Sequence, residues 1–268
     1  MKKVCIITGG SSGIGRCTSL FMAEKGYKVY ELSRKDTADE HCTASGIFHI
    51  KADVTSKNDI KSAIEKIIKT DGRIDVLINN AGFGISGAAE FTDAETAQKQ
   101  FNVNFFGAVR MCSAVISVMR NQHSGRIINI GSVAGVVPIP FQSFYSAAKA
   151  ALLSYTLSLS NEIKPFGISV VCIQPGDINT GFTASREKQF IGDEIYNGRI
   201  SRSVAVMEHD EQNGMSAETA GKFIAKVAAG NSKKPVRTIG MGYKAACLLI
   251  KLLPFGLSNK IIGMIYAK

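Results

Sequence analysis

The chain has 268 residues, 45% of them apolar, which suits one large domain with a buried core and excludes a disordered chain. Thirty-two basic against 22 acidic residues leave a net charge of +10, yet no Lys/Arg run is interleaved with aromatics, so no nucleic-acid partner is expected. The six Cys and four His are scattered without metal-ligand spacing, so no metal is expected; the cysteines read as reduced thiols of a cytoplasmic protein, and no apolar run reaches the roughly 18 residues of a membrane span.

Residues 3–8 form an apolar stretch too short for a signal peptide and read as a first strand. It runs into Gly9-Gly10-Ser11-Ser12-Gly13-Ile14-Gly15, then a helical pattern through Leu20, Phe21 and Ala23 that stops at Gly26. Strand, Gly-rich turn and helix together suit a phosphate, because glycines let backbone approach and a helix N-terminus offers free N–H groups. The spacing is G-x-x-x-G-x-G, not the general G-x-G-x-x-G fingerprint, and a tight turn without a ligand is the alternative. Residues 26–32 read as a second strand with Ser33 at its tip, followed by Arg34 and Lys35. A small hydroxyl and two cations suit the 2′-phosphate of NADP, whereas Glu31, which shares the parity of Ser33, favours NAD. NADP is expected over NAD. Asp36 is expected to cap the next helix.

Residues 47–50 read as a third strand leading to Asp53 and Val54. Asp53 is either an adenine contact or a turn carboxylate. Ser56 and Asp59 signal the start of a helix through residue 69. A fourth strand over 75–78 opens into Asn79-Asn80-Ala81-Gly82-Phe83-Gly84, small residues on which a flat ligand can lie. Residues 93–119 read as one long helix interrupted by Asn102 and Asn104, poor mid-helix residues that predict a kink or a polar role.

A fifth strand over 126–131 ends at Ser132. After a loop with Pro138 and Pro140, the helix over 143–163 places Tyr145 and Lys149 one turn apart on one face. A cation beside a phenol favours the phenolate, so the Tyr145 pKa is expected to fall toward the range of a working acid or base. An exposed Tyr beside a solvated Lys is the bland alternative. A sixth strand over 168–173 is followed by Pro175-Gly176, Ile178 and Thr180. A seventh is expected at 236–239. Strands and helices alternate without linker or repeat. The expected fold is α/β, a single Rossmann-type domain over 1–268: a doubly wound, mostly parallel seven-stranded sheet with helices on both faces. Ligands bind such sheets at the strands' carboxyl ends, where all of these motifs fall.

As a set, Thr8 to Gly15, Asn79 to Gly82, Asn104, Ser132, Tyr145-x-x-x-Lys149 and Pro175-Gly176 resemble the short-chain dehydrogenase/reductase superfamily over residues 3 to about 180. The resemblance implies an NAD(P)-dependent enzyme acting on CH–OH groups. Tyr145 would be the acid/base, Ser132 would hold the substrate oxygen, and Lys149 would lower the Tyr145 pKa and bind the nicotinamide ribose. Asn104 would anchor a water in a relay to Lys149. It further implies cofactor contacts from Gly9, Ser11, Ser12, Gly13, Ile14, Gly15, Ser33, Arg34, Asp53, Val54, Asn80, Ala81, Gly82, Pro175, Gly176, Ile178 and Thr180. The assembly implied is a homodimer or homotetramer.

The loops above the nicotinamide carry mostly apolar residues: Phe83, Ile85, Val133, Val137, Phe141, Phe144, Ile178 and Phe182. They predict a lipophilic substrate pocket, unless several only pack on one another. Residues 183–210 would form its lid. The apolar stretch 243–268, with lysines at 244, 251, 260 and 268, is split into two short helices by Pro254 and Gly256. Such a tail resembles that of members acting on hydroxysteroids or retinoids. It covers the pocket or a subunit interface, lies on a membrane surface, or is plain core packing. The expected activity interconverts a secondary alcohol and a ketone on a lipophilic substrate, a hydroxysteroid or retinoid first. Small ketones, aldehydes or oxoacyl substrates, or a non-catalytic NADP-binding regulator, are the alternatives.

Overall fold

The computed structural model describes residues 2–36 and 45–267. Its centre is a strand, β1, over Val4–Thr8. Successive strand side chains point to opposite faces. Accordingly Val4 and Ile6 enter one apolar layer while Cys5 and Ile7 enter the other. The strand is buried at every position, covered on both faces as in parallel sheets. The other six strands are β2 (Lys28–Ser33), β3 (Ile47–Lys51), β4 (Val76–Asn79), β5 (Gly125–Ile130), β6 (Ile168–Gln174) and β7 (Val236–Thr238). They lie in the order β3-β2-β1-β4-β5-β6-β7, with every neighbouring pair parallel. The order reverses between β1 and β4, which opens a crevice at their carboxyl ends.

Helices cover both faces. The first layer receives α2 (Lys57–Asp71), α3 (Ala94–Asn121) and α4 (Ser143–Glu162) through Ile60, Ile67, Met111, Val115 and Leu159. The second receives α1 (Gly13–Glu24) through Met22, with Ala220, Ile224 and Ala225 of a later helix. By length and composition α3 would cross a membrane, but its apolar stripe of Met111, Cys112, Val115 and Met119 is buried in the first layer.

Helix starts follow local chemistry. Ser56 Oγ accepts the Asp59 N–H at 3.2 Å, and Asp93 accepts that of Thr96 at 2.6 Å. Within α3, residues Asn102–Gly107 form a π-helical turn, the irregularity announced by the two asparagines. The Asp36 carboxylate pairs with Lys51 at the end of β3; the helix it is expected to cap falls on residues 37–44, which lie outside the described residues.

Beyond β6 the chain builds a superstructure over the sheet edge. Phe182–Ser185 form a single helical turn, and Glu187–Lys188 pair in parallel with Ile85–Ser86. Then follow α5 (Arg199–Gln212), α6 (Ala217–Ala229), α7 (Met241–Leu252) and α8 (Phe255–Tyr266). The region expected as a lid, residues 183–210, thus comprises this turn, the short ladder and most of α5. Leu253 and Pro254 separate α7 from α8, as the proline implied.

Candidate active site

The strand ends meet one cleft of about 780 Å³. Its floor is the turn from Gly9 to Gly15. A Cβ at residue 15 would stand 2.2 Å from the Gly9 carbonyl oxygen and 2.5 Å from Asn80 Nδ2, so only glycine lets α1 begin against the turn. Asn80 Nδ2 donates to the carbonyls of Thr8 (3.1 Å) and Gly9 (3.0 Å), while Thr8 Oγ1 accepts the N–H groups of Asn80 and Ala81. The Asn80 amide therefore fastens the turn to the end of β4. Ser11, Ser12, Gly13 and Ile14 line the floor, with Thr180 facing Gly13 from the other wall. Ser12 caps α1 without a side-chain bond, leaving the first-turn N–H groups to the cleft.

The tip of β2 closes one end. Ser33, Arg34 and Lys35 all line the cleft, and Ser33 Oγ is buried without a partner. An orphan hydroxyl beside two cations fits a phosphate ester. Glu31 points elsewhere. It is buried beneath Gly10, with Oε2 2.5 Å from His49 Nδ1. The same imidazole reaches the Lys35 carbonyl through Nε2 at 3.1 Å. His49, an isolated histidine in the sequence, thus ties the turn after β2 to β3. Strand register places the two side by side, for Glu31 pairs with His49 across the ladder. Asp53 lines the cleft beside Val54, and its Oδ1 accepts both the N–H and the hydroxyl of Thr55 at 2.8 Å, as a turn carboxylate does.

The middle of the cleft holds Ser132, Tyr145 and Lys149. Gly135 lies so close to α4 that a Cβ there would be 2.8 Å from the Lys149 carbonyl carbon. This contact presses the turn after Ser132 onto the helix that carries Tyr145. The buried Lys149 Nζ donates to the Ile130 carbonyl at 2.9 Å and stands 5.7 Å from the Tyr145 ring centroid. Burial pushes the Lys149 ammonium down to about 8.

The Tyr145 pKa is not lowered, contrary to the expectation from its neighbour. Burial pushes the phenol up to about 12, against a lowering hydrogen bond from Ser132. Desolvation of the phenolate is the largest cause, and the Glu211 and Asp177 carboxylates push the same way against the Arg186 guanidinium. Asn104 holds a neighbouring loop. Its Oδ1 accepts the Phe83 N–H at 3.0 Å and its Nδ2 donates to the Phe83 carbonyl at 2.8 Å. Both ends of the amide thus hold the loop after β4, although Asn104 Oδ1 and Lys149 Nζ both lie against Gly82.

Pro175 and Gly176 form the wall opposite the Gly-rich turn, and Ile178 extends it. The substrate end is lined by Phe83, Val133, Val137, Phe182 and Met207, with the Phe182 ring 5.9 Å from that of Tyr145. Three expected residues are not on this wall. Phe144 is half-buried on α4 outside the cleft lining, because one helix step from Tyr145 turns a side chain about 100° away. Phe141 is buried with Ala88 and Ile200, and Ile85 belongs to the short ladder with Glu187. In their place the C-terminal helices contribute Tyr243 and Tyr266. The Tyr243 hydroxyl donates to Asp177 Oδ2 at 2.6 Å, and its ring lies directly on Gly176. No spacing rule could bring residue 243 to residue 176. Among the described residues no cluster of His, Cys, Asp or Glu could hold a metal ion.

Residues 3–190 match the family model described as short chain dehydrogenase. The chain is 42% identical to a 3-ketodihydrosphingosine reductase of Bacteroides thetaiotaomicron over 88% of this chain and 87% of that one. Its fold is similar to that of a short-chain dehydrogenase from Streptomyces avermitilis, with TM-score 0.83 and 26% identity over 97% of this chain and 95% of that one. It is also similar to ElxO with NADP bound, with TM-score 0.76 and 27% identity over 91% of this chain and all of that one.

Proposed function

This chain belongs to the short-chain dehydrogenase family, and from that premise we propose that it is an NADP-dependent reductase of a ketone on a long-chain lipophilic substrate. The observation that carries this reading is one continuous cleft. It runs from the phosphate-compatible Ser33 and Arg34, past Tyr145, to an apolar and aromatic wall ending at Tyr266.

When bound, NADPH supplies the hydride that reduces the carbonyl carbon. The Gly9 to Gly15 turn and the start of α1 hold its pyrophosphate; Ser33 and Arg34 hold its 2′-phosphate. Asp53, Val54, Ala81, Gly82, Pro175, Gly176, Ile178 and Thr180 shape the remaining contacts. Ser132 hydrogen-bonds the carbonyl oxygen, and Tyr145 gives that oxygen its proton. A phenol whose pKa is raised by burial holds its proton throughout the neutral range, which suits a donor. The Lys149 ammonium stabilises the phenolate left behind and binds the nicotinamide ribose. Asn104 acts through the Phe83 loop.

The substrate class follows from the wall and from the relative. Phe83, Val133, Val137, Phe182 and Met207 offer an apolar path, as a sphingoid chain, a steroid or a retinoid would need. Asp177, Glu187 and Glu211 also line the cleft, but their carboxylates are engaged by Tyr243, Lys99 and Arg186. The 42% identity to a 3-ketodihydrosphingosine reductase supports placing 3-ketodihydrosphingosine ahead of the hydroxysteroid or retinoid that the apolar tail suggests. The reading includes a cytoplasmic enzyme: Cys5, Cys17, Cys112, Cys172 and Cys247 are free thiols.

The test is NADPH consumption across a panel of 3-ketodihydrosphingosine, keto-steroids, retinal, a 3-oxoacyl thioester and short ketones. The highest kcat/KM is expected on the sphingoid ketone. A preference for short ketones would overturn the lipophilic assignment, and no turnover on any member would favour the non-catalytic regulator.

A further inference from the structure

The outer face of the two C-terminal helices carries more exposed large apolar residues than any other element among the described residues. The inner face is fixed: Tyr243 sits on Gly176, Cys247, Ser258 and Ile262 are buried, and Arg199 Nε donates to the Ala267 carbonyl at 2.8 Å. Outward, Met241, Leu248, Leu249, Leu252, Phe255 and Ile265 are all at least half exposed. At the joint between α7 and α8, Leu252 is 74% and Phe255 95% exposed. Large apolar residues concentrated on one short hairpin mark a docking surface rather than the usual scatter.

Charge identifies the occupant. Residues 241–268 contain four lysines and no acidic residue. Lys244, Lys251 and Lys260 are exposed on the same hairpin. In a two-fold contact the same patch would meet itself, so these lysines would face lysines with no carboxylate between them. A surface of anionic lipid supplies both what the apolar tip and what the cations lack. Each helix has 12 residues, about 18 Å at 1.5 Å per residue, too short to cross a hydrocarbon core of about 30 Å. The hairpin can lie in the interface but cannot span it.

We propose that α7 and α8 form a membrane-docking hairpin: Leu252 and Phe255 enter the lipid interface while Lys244, Lys251 and Lys260 contact anionic headgroups. Tyr243 and Tyr266 project from the same two helices into the cleft wall, so docking sets the substrate end of the cleft beside the bilayer. Docking rests on this surface alone; its use in delivering substrate rests on the lipophilic reading above.

The experiment is flotation of the full chain with phosphatidylcholine vesicles, with and without phosphatidylglycerol. The chain is expected to float with the anionic vesicles and to be released by salt. Leu252→Glu/Phe255→Glu, at outward positions, should reduce binding at least about tenfold, and Lys251→Glu/Lys260→Glu should remove the preference for anionic lipid. Turnover of a short water-soluble ketone serves as the folding control and should stay unchanged in both variants. Absence of vesicle binding by the parent would overturn the proposal. So would equal, salt-insensitive binding to neutral vesicles, or an oligomer that Leu252→Glu/Phe255→Glu dissociates without any lipid binding. If flotation succeeds but vesicle-borne long-chain ketone is not reduced, docking stands and the substrate reading fails.

Discussion

Replacing Lys149 by Met removes a buried ammonium from beneath the cleft, and its effect on stability has a defined pH signature. Burial lowers the Lys149 pKa from 10.5 to about 8. Below about pH 8 the folded and unfolded chains both carry the proton, so the fold bears the whole cost of the buried charge, about 3 kcal/mol. Between about 8 and 10.5 the folded chain releases the proton while the unfolded chain keeps it, and stability climbs with pH. From about pH 7 to about pH 9.5 the gain is roughly 2 kcal/mol. Tyr145, raised to about 12, works in the opposite sense but only above its unfolded value of 10, where stability falls as pH rises. Cys172, beside Lys149, is pushed up to about 12 and stays neutral in the fold over the same range. Lys149→Met also leaves the Ile130 carbonyl without its donor, a pH-independent cost of about 1–3 kcal/mol. Urea unfolding of both chains across this pH range separates the two effects. The stability difference between parent and variant should shift toward the parent by about 2 kcal/mol as pH rises. Parallel pH profiles would mean that Lys149 is not a desolvated cation, and the electrostatic description of the site would fall with them.

Three further substitutions probe the cofactor end. Arg34→Ala should raise the NADPH KM about tenfold, a loss near 1.4 kcal/mol for an exposed phosphate contact, and leave the NADH KM nearly unchanged; equal effects on both would remove Arg34 from phosphate recognition. His49→Ala should raise the NADPH KM more than it lowers kcat, because the imidazole holds the turn that carries Arg34 and Lys35; a matching loss with NADH would mean general loosening instead. Gly15→Ala drives a methyl into the Gly9 carbonyl and should cost about 3 kcal/mol, read as a lowered thermal midpoint with weakened binding of both cofactors; an unchanged midpoint would contradict the tight packing of that turn.

Much of this site was legible in the chain because parallel α/β architecture brings strand ends to one edge. Once the apolar runs of β1, β4, β5 and β6 are recognised, Gly9, Asn80, Ser132 and Pro175 must share a neighbourhood, whatever their separation in sequence. Local rules also placed the Ser56 and Asp59 start of α2 and the irregularity at Asn102 and Asn104. What escaped was set by long-range packing. The i,i+4 spacing puts Lys149 near Tyr145, but only the folded surroundings reveal that burial raises the phenol. The hold of Asn104 on the backbone of Phe83, 21 residues away, had no local signal. Phe144 looked like a pocket residue by adjacency, yet helical rotation carries it off the wall. His49 and Tyr243 gave no local signal at all, since one acts through strand register and the other through the return of the C-terminal helices over Gly176.

The central claim is that Tyr145 delivers the proton to a ketone held in this cleft. Tyr145→Phe keeps the ring beside Phe182 and removes only the hydroxyl. The most direct measurement is NADPH binding and single-turnover reduction of 3-ketodihydrosphingosine by this variant and its parent. The account predicts a dissociation constant for NADPH within a few-fold of the parent and a reduction rate lower by at least about a thousandfold. Reduction at near-parental rate, or loss of NADPH binding equal to the loss of turnover, would contradict it.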